Sequence, residues 1–241
     1  MAERAALITG GSGAIGLAIA RVLADEGYGL TLSARRPEKL EAAVQPLRDT
    51  GADVLAIPAN VADEEQLQAV AAAHRERFGR LDALVNNAGV GVGAPLADTQ
   101  TKYLDMQLAV NFRSMVILTR ECMPLLKESG AEHGKALVIN TSSISGKIPV
   151  PFLGVYGATK HAVVGFSGSL QREHQHDGIS VTALCPGFVD TDMTEFIKGQ
   201  VPAEEMIKPD DIGEAVRFLL HTSSACVVPE IQFLRRGDEI A

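Results

Sequence analysis

Seven short apolar runs, none alternating with polar residues, constrain the fold of this chain more than any other feature. They occupy residues 5–9, 29–33, 54–57, 83–86, 136–140, 181–184 and 226–234. Runs of Val, Ile, Leu and Ala without alternation suit strands buried on both faces, as in a parallel sheet. Between them lie segments of helical period at 15–26, 37–49, 63–78, 99–126, 156–176 and 209–221. Two of these start with proline in the first turn, Pro37 and Pro209, and two stop at glycine, Gly27 and Gly79. Strand–helix alternation from end to end predicts an α/β fold. It would be a doubly wound, mostly parallel sheet of about seven strands with helices on both faces, a Rossmann arrangement. No linker or repeat interrupts 1–241, so a single domain is expected. The stretch 192–208 fits neither pattern and is expected to form a short lid over the substrate.

The first strand runs into Thr9-Gly10-Gly11-Ser12-Gly13-Ala14-Ile15-Gly16, and a helix follows. Glycines let a backbone turn tightly and approach a pyrophosphate, while a helix N-terminus offers free N–H groups and a positive dipole end. Gly11, Gly13 and Gly16 spell G-x-G-x-x-G, a weak motif alone. Its position after a strand and before a helix points to a dinucleotide site, so the domain 1–241 is expected to be dinucleotide-binding; the competing reading is a glycine-rich turn with no ligand.

The second strand of an NAD-binding fold ends in an Asp or Glu that bonds the ribose 2′-OH. Here it ends Ser33-Ala34-Arg35-Arg36, with no carboxylate. Two guanidinium forks suit a 2′-phosphate, and Ser33 could add a hydroxyl. NADP(H) is therefore expected over NAD(H). The competing reading leaves both arginines as solvated loop residues.

Further along stand Asn86-Asn87-Ala88-Gly89, Asn111, Ser142-Ser143, Tyr156-x-x-x-Lys160 and Pro186-Gly187-Phe188-Val189-Asp190-Thr191. A Tyr–Lys pair at i, i+4 shares a helix face and is by itself often mere packing. The joint order of these motifs resembles the short-chain dehydrogenase/reductase family over nearly the whole chain. The family's loop form is T-G-x-x-x-G-x-G, met here by Thr9, Gly10 and Gly16 with Ala14 at the middle glycine.

The resemblance implies hydride transfer between a nicotinamide and a carbonyl or hydroxyl, and it implies roles. Tyr156 would be the acid in reduction and the base in oxidation. A free phenol has a pKa of about 10, and an ammonium one helical turn away is expected to lower it. Lys160 would tune Tyr156 and hold the nicotinamide ribose. Ser143 would bond the substrate oxygen; Ser142 is the alternative, though its spacing to Tyr156 is less favourable. Asn111 would support a water relay to the lysine, unless it is an ordinary helix residue. Gly10, Ser12, Gly13, Ile15 and Gly16 would hold the pyrophosphate, and Asn87, Ala88 and Gly89 would line the adenosine-ribose side. Pro186, Gly187, Val189 and Thr191 would flank the nicotinamide carboxamide. Asn60-Val61 stands where the family usually has Asp-Val, and the Asn60 amide oxygen can still accept from adenine.

Composition excludes other classes. Lys and Arg total 22 against 30 Asp and Glu, a net charge of −8, and no basic run exceeds two residues. Nucleic acid and anionic membranes are not expected partners. Cys122, Cys185 and Cys226 are far apart and are expected to be reduced thiols in apolar surroundings. The six histidines lack ligand spacing, so no metal is expected. A strand-like run starts at once after Met1, which leaves no signal peptide and makes the cytoplasm the expected location.

The walls at 91–96, 144–152 and 188–208 are mostly apolar, and a small, mostly apolar carbonyl or alcohol is the expected substrate. A 3-oxoacyl thioester is an alternative, although the chain lacks the paired C-terminal glycines usual in acyl-carrier-protein reductases. A sensor that binds NADP(H) without turnover is another; loss of Tyr or Lys would mark it, and both are present. Sugar-nucleotide epimerases and dehydratases are longer, with a C-terminal substrate domain not seen here. Family members commonly form dimers or tetramers, which implies a homo-oligomer joined through 99–126 and 156–176.

Overall fold

In a computed structural model, residues 3–238 are described. Seven strands form one fully parallel sheet: β1 (Arg4–Thr9), β2 (Tyr28–Ala34), β3 (Val54–Pro58), β4 (Ala83–Asn86), β5 (Ala136–Thr141), β6 (Ile179–Pro186) and β7 (Glu230–Phe233). Their order is β3-β2-β1-β4-β5-β6-β7. The direction of winding reverses between β1 and β4, and ligands of such sheets bind outside the carboxyl ends at that point.

Seven α-helices cover the two faces: α1 (Ala14–Asp25), α2 (Pro37–Asp49), α3 (Glu64–Phe78), α4 (Thr101–Leu108), α5 (Ser114–His133), α6 (Gly154–His174) and α7 (Pro209–His221). Ala6 and Ile8 of β1 pack with Ile19 and Leu23 of α1, Leu40 and Val44 of α2, and Val216 of α7. Leu7, between them, packs on the opposite face with Leu67 and Val70 of α3 and Leu118 and Leu126 of α5. Each strand residue thus meets apolar neighbours whichever way it points, which is why the runs carry no alternation. Fully burying each such Leu or Ile contributes about 1.5–3 kcal/mol.

The largest departures from the expected boundaries fall in one helix and one strand. The helix expected at 99–126 is two helices joined by a π-helical turn, Ala109–Arg113, and it runs on to His133. The stop is Gly134, in the left-handed conformation at φ 71°. The last strand is confined to Glu230–Phe233, after Pro229, whose lack of an N–H bars it from a ladder. Cys226 is exposed, whereas Cys122 and Cys185 are buried as expected. No helix among the described residues is long and apolar enough to cross a membrane.

Candidate active site

A groove of about 320 Å³ opens at the carboxyl ends of β1, β2 and β4. Its floor is the loop from Gly10 to Ile15. Gly10 turns the chain at φ 68°, and Gly13 N–H donates to the Gly10 carbonyl at 3.0 Å. A Cβ on Gly16 would lie 2.4 Å from the Gly10 oxygen and 2.9 Å from Asn87 Nδ2. Gly16 therefore underlies the groove as a close-packing position. The N-cap of α1 is Gly13, with no side-chain cap, so first-turn N–H groups are left to face an anion. Ala14, the departure from the family's glycine pattern, is an exposed residue on the rim.

Thr9 joins the two halves of the sheet at the reversal point. Its Oγ1 accepts from the N–H groups of Asn87 and Ala88, each at 3.1 Å. Asn87 Nδ2 donates back to the Thr9 carbonyl at 3.2 Å, and its Oδ1 accepts from Thr141 Oγ1 at 3.3 Å. The Asn87 side chain is thus a brace, while Asn87, Ala88 and Gly89 line one wall of the groove. Asn60 and Val61 line the adenine-side end expected from sequence. Asn60 Oδ1 accepts from Ala62 N–H at 3.2 Å and keeps a second lone pair.

Arg35 and Arg36 are exposed and line the same groove. Ser33 does not join them. It is buried on β2 with its hydroxyl unpartnered, because strand alternation turns it away from the side that Ala34 presents. At the other end, Thr191 reaches the groove, and the Pro186 carbonyl accepts from Ser143 Oγ at 3.4 Å beside the catalytic candidates. Pro186 ends β6, Gly187 N–H donates to the Phe233 carbonyl at 2.9 Å, and Val189 is buried in the core.

The catalytic candidates converge where the groove ends. A Cβ on Gly89 would lie 3.5 Å from Lys160 Nζ and 3.6 Å from Asn111 Oδ1, and one on Gly91 would lie 3.5 Å from the Tyr156 ring edge. The π turn directs Asn111 inward, as such turns do at functional sites. Its Nδ2 donates to the Val90 carbonyl at 2.9 Å and to Thr159 Oγ1 at 3.0 Å, and its Oδ1 accepts from Val90 N–H at 2.8 Å. Both amide donors are committed, so Asn111 locks the strand-4 loop to α6 and offers a relay only one lone pair.

Ser143 is buried and faces Tyr156; its Oγ accepts from Ser145 N–H at 3.1 Å. Ser142 Oγ instead donates to the Lys160 carbonyl at 2.9 Å, which turns it away from the phenol. Geometry thus brings Ser143, not Ser142, to Tyr156.

The expected lowering of Tyr156 by Lys160 is not found. Burial pushes the phenol up, and the hydrogen bond with Ser143 only partly offsets this. Lys160 is itself 4% exposed, and burial pushes its ammonium down to about 8. A partly neutral amine has less charge with which to stabilise a phenolate. Its Nζ donates to the Thr141 carbonyl at 2.9 Å and lies 5.6 Å from the Tyr156 ring centre.

A buried polar chain that sequence reasoning missed seats α6 on the sheet. Asn86 Nδ2 donates to Asn140 Oδ1 at 2.9 Å and to Thr119 Oγ1 at 3.0 Å; Asn140 Nδ2 donates to Ser167 Oγ at 2.9 Å. Ser167 is seven residues past Lys160 on the same helix face, and that spacing was the available signal.

A short-chain dehydrogenase model matches residues 4–201. The chain belongs to the short-chain dehydrogenase family. It is an oxidoreductase acting on carbonyl or hydroxyl groups. A putative ketoacyl reductase of the monensin polyketide synthase from Streptomyces virginiae is 37% identical, over 95% of this chain and 94% of that one. A solved alcohol dehydrogenase from the archaeon Thermococcus sibiricus, complexed with 5-hydroxy-NADP, superimposes with a TM-score of 0.88 at 31% identity, over 99% and 98% of the two chains. A 3-ketoacyl-(acyl-carrier-protein) reductase from Brucella melitensis, complexed with NADH, gives 0.87 at 29% identity, over 96% of each. Structural relatives of this dehydrogenase therefore include proteins seen with either form of the dinucleotide.

Proposed function

We propose that this dehydrogenase reduces a small, mostly apolar carbonyl compound, or oxidises the matching alcohol, with NADP(H) in preference to NAD(H). The observation that carries the proposal is the meeting of Ser143, Tyr156 and Lys160 at the end of a groove whose far side carries Arg35 and Arg36, with no carboxylate at the end of β2. The glycine turn, whose close packing a Cβ at position 16 would break, and the uncapped start of α1 fit a pyrophosphate. When bound, the nicotinamide supplies or accepts the hydride.

The side chains handle the proton and the geometry. Tyr156 Oη gives its proton to the substrate oxygen in reduction; the phenol, held up by burial, is protonated at neutral pH and ready to act as the acid. Ser143 Oγ donates to the same oxygen and stabilises its developing charge. Lys160 Nζ holds the ribose and, when charged, favours the phenolate left behind. Asn111, through Val90 and Thr159, keeps the loop and α6 at fixed separation. Asn60 accepts from adenine, and Thr191 bonds the nicotinamide end.

The substrate class is supported by the mouth of the site. Leu96, Val150, Phe152, Met193 and Phe196 are exposed apolar side chains from the three expected wall segments. The lysines there are already neutralised: Lys147 pairs with Glu230 at 2.8 Å, and Lys198 and Lys208 pair with Asp190 at 3.3 and 3.4 Å. A polyanionic substrate would find no free cation among them. A 3-oxoacyl thioester fits the same apolar mouth, and the ketoacyl reductases among the relatives favour it as the second reading. The chain acts as one unit with 192–208 as its lid, and works as a homo-oligomer in the cytoplasm.

The test is an NADPH-consumption screen against ketones, aldehydes and 3-oxoacyl thioesters, with Tyr156→Phe as control. Turnover by the wild type and its loss in the variant are expected. Equal turnover by both would sink the assignment.

A further inference from the structure

One ion pair spans the mouth of the groove. Lys39 Nζ donates to Asp192 Oδ2 at 2.8 Å. Lys39 lies in the first turn of α2, four residues after Arg35 and three after Arg36; Asp192 follows Thr191 and opens the lid. The two are 153 residues apart in sequence, so the pair is made by the tertiary fold. Lys39 and Asp192 line the same groove as Arg35 and Arg36. The Asp192 carboxyl is held below the usual carboxylate range, first by Lys39 and then also by the charges of Arg36 and Lys198. A lid carboxylate thus lies within the field of the cations that end β2 and begin α2.

We infer that Lys39 is a third cation for the 2′-phosphate and that Asp192 is the anion that occupies it until the phosphate does. This rests on the NADP(H) reading above. The pair is solvent-exposed, with Asp192 90% accessible, and exposed pairs of this kind are weak. A phosphate carries up to twice the charge of a carboxylate and more acceptor oxygens, so it displaces Asp192 from Lys39. NADH has no such group and leaves the pair in place. The turn that Asp192 opens also carries Met193, whose Sδ lies 3.9 Å from where a Cβ on Gly91 would stand, beside the Tyr156 ring edge. Asp192 thus links the end of the groove that carries Arg35 and Arg36 to the lid turn whose Met193 also borders Gly91.

The experiment is a fluorescence titration of NADPH and NADH against the wild type, Lys39→Met, Asp192→Asn and the double variant. Lys39→Met is expected to weaken NADPH about tenfold, the loss of one charge-assisted phosphate contact, and to leave NADH within about twofold. Asp192→Asn is expected to tighten NADPH about threefold with no change for NADH, and that gain should shrink in the Lys39→Met background. Parallel weakening of both cofactors by Lys39→Met, or no weakening of either, overturns the inference; so does Asp192→Asn leaving NADPH unchanged or weaker. A wild type that binds NADH as tightly as NADPH overturns the NADP(H) reading and this inference with it. A wild type that discriminates, with an unchanged ratio in Lys39→Met, overturns this inference alone.

Discussion

Lys160 Nζ lies 5.6 Å from the centre of the Tyr156 ring, yet its hydrogen bond goes to the carbonyl of Thr141 on β5. The lysine is anchored to the sheet, and the tyrosine, one helical turn earlier, is held beside it by α6. Burial acts on both in opposite senses: the phenol is pushed up and the ammonium down to about 8.

That value sets a pH limb. Lys160 is charged below about 8 and neutral above it. Holding the ribose and favouring the phenolate both need the charge. For carbonyl reduction, kcat/KM for NADPH, which reports the free enzyme, should be level near pH 6–7 and fall as pH rises through about 8. A profile that stays flat to about pH 10 would contradict the burial argument.

Removing the proton donor should act on the chemistry and not on cofactor binding. Tyr156→Phe is expected to lower kcat by about 10²–10⁴-fold while the NADPH Kd stays within about twofold. Ser143→Ala should lower kcat by about 10²-fold, as loss of one oxyanion donor does. If Ser142→Ala produced the larger loss in kcat with its fold intact, the hydroxyl assignment would move to Ser142.

The glycines of the loop should not respond equally. Gly16→Ala places a methyl 2.4 Å from the Gly10 carbonyl, whereas a methyl on Gly13 meets its nearest neighbour at 3.3 Å. Gly16→Ala is expected to weaken NADPH by at least about tenfold, or to lower Tm by several degrees, and Gly13→Ala to do less of both. Isothermal titration and thermal melts on the two variants would check the ranking.

His74 should make stability depend on acid. It is fully buried under β2; Nε2 donates to the Arg80 carbonyl at 2.9 Å, which leaves Nδ1 to accept from Thr31 Oγ1 at 2.8 Å. Burial lowers its pKa from 6.5 to about 4. The unfolded chain therefore takes up a proton below about 6.5 that the folded one refuses until about 4. Stability is lost across that window as pH falls, by about 3 kcal/mol in total. Denaturant melts between about pH 7 and 4 should show a steeper decline in the wild type than in His74→Gln. Equal slopes would show that His74 protonates freely in the native state.

Much of this was legible because parallel strands and phosphate loops are local patterns. The apolar runs located all seven strands, and proline and glycine marked helix ends at Pro37, Gly79 and Pro209. The candidate catalytic trio could be named from spacing because Tyr156 and Lys160 share one helix face, and the chain order places Ser143 just upstream. Ser33 misled because its neighbour Ala34 lines the groove, so strand alternation points Ser33 to the opposite side. The long helix was drawn too simply because a π turn depends on what the inward residue can bond, and Asn111 finds Val90 and Thr159 only in the folded state.

The sequence by itself determined the fold class and the family, and it named the candidate loop and the candidate proton-transfer pair. Only the tertiary structure decided the directions of burial and charge. It showed that Lys160 is anchored to Thr141 with a depressed pKa, that Ser143 rather than Ser142 meets the phenol, and that Lys39 reaches a carboxylate 153 residues away. Spacing along a helix or strand sets which residues share a face. Desolvation and long-range pairing depend on what the rest of the chain packs against that face.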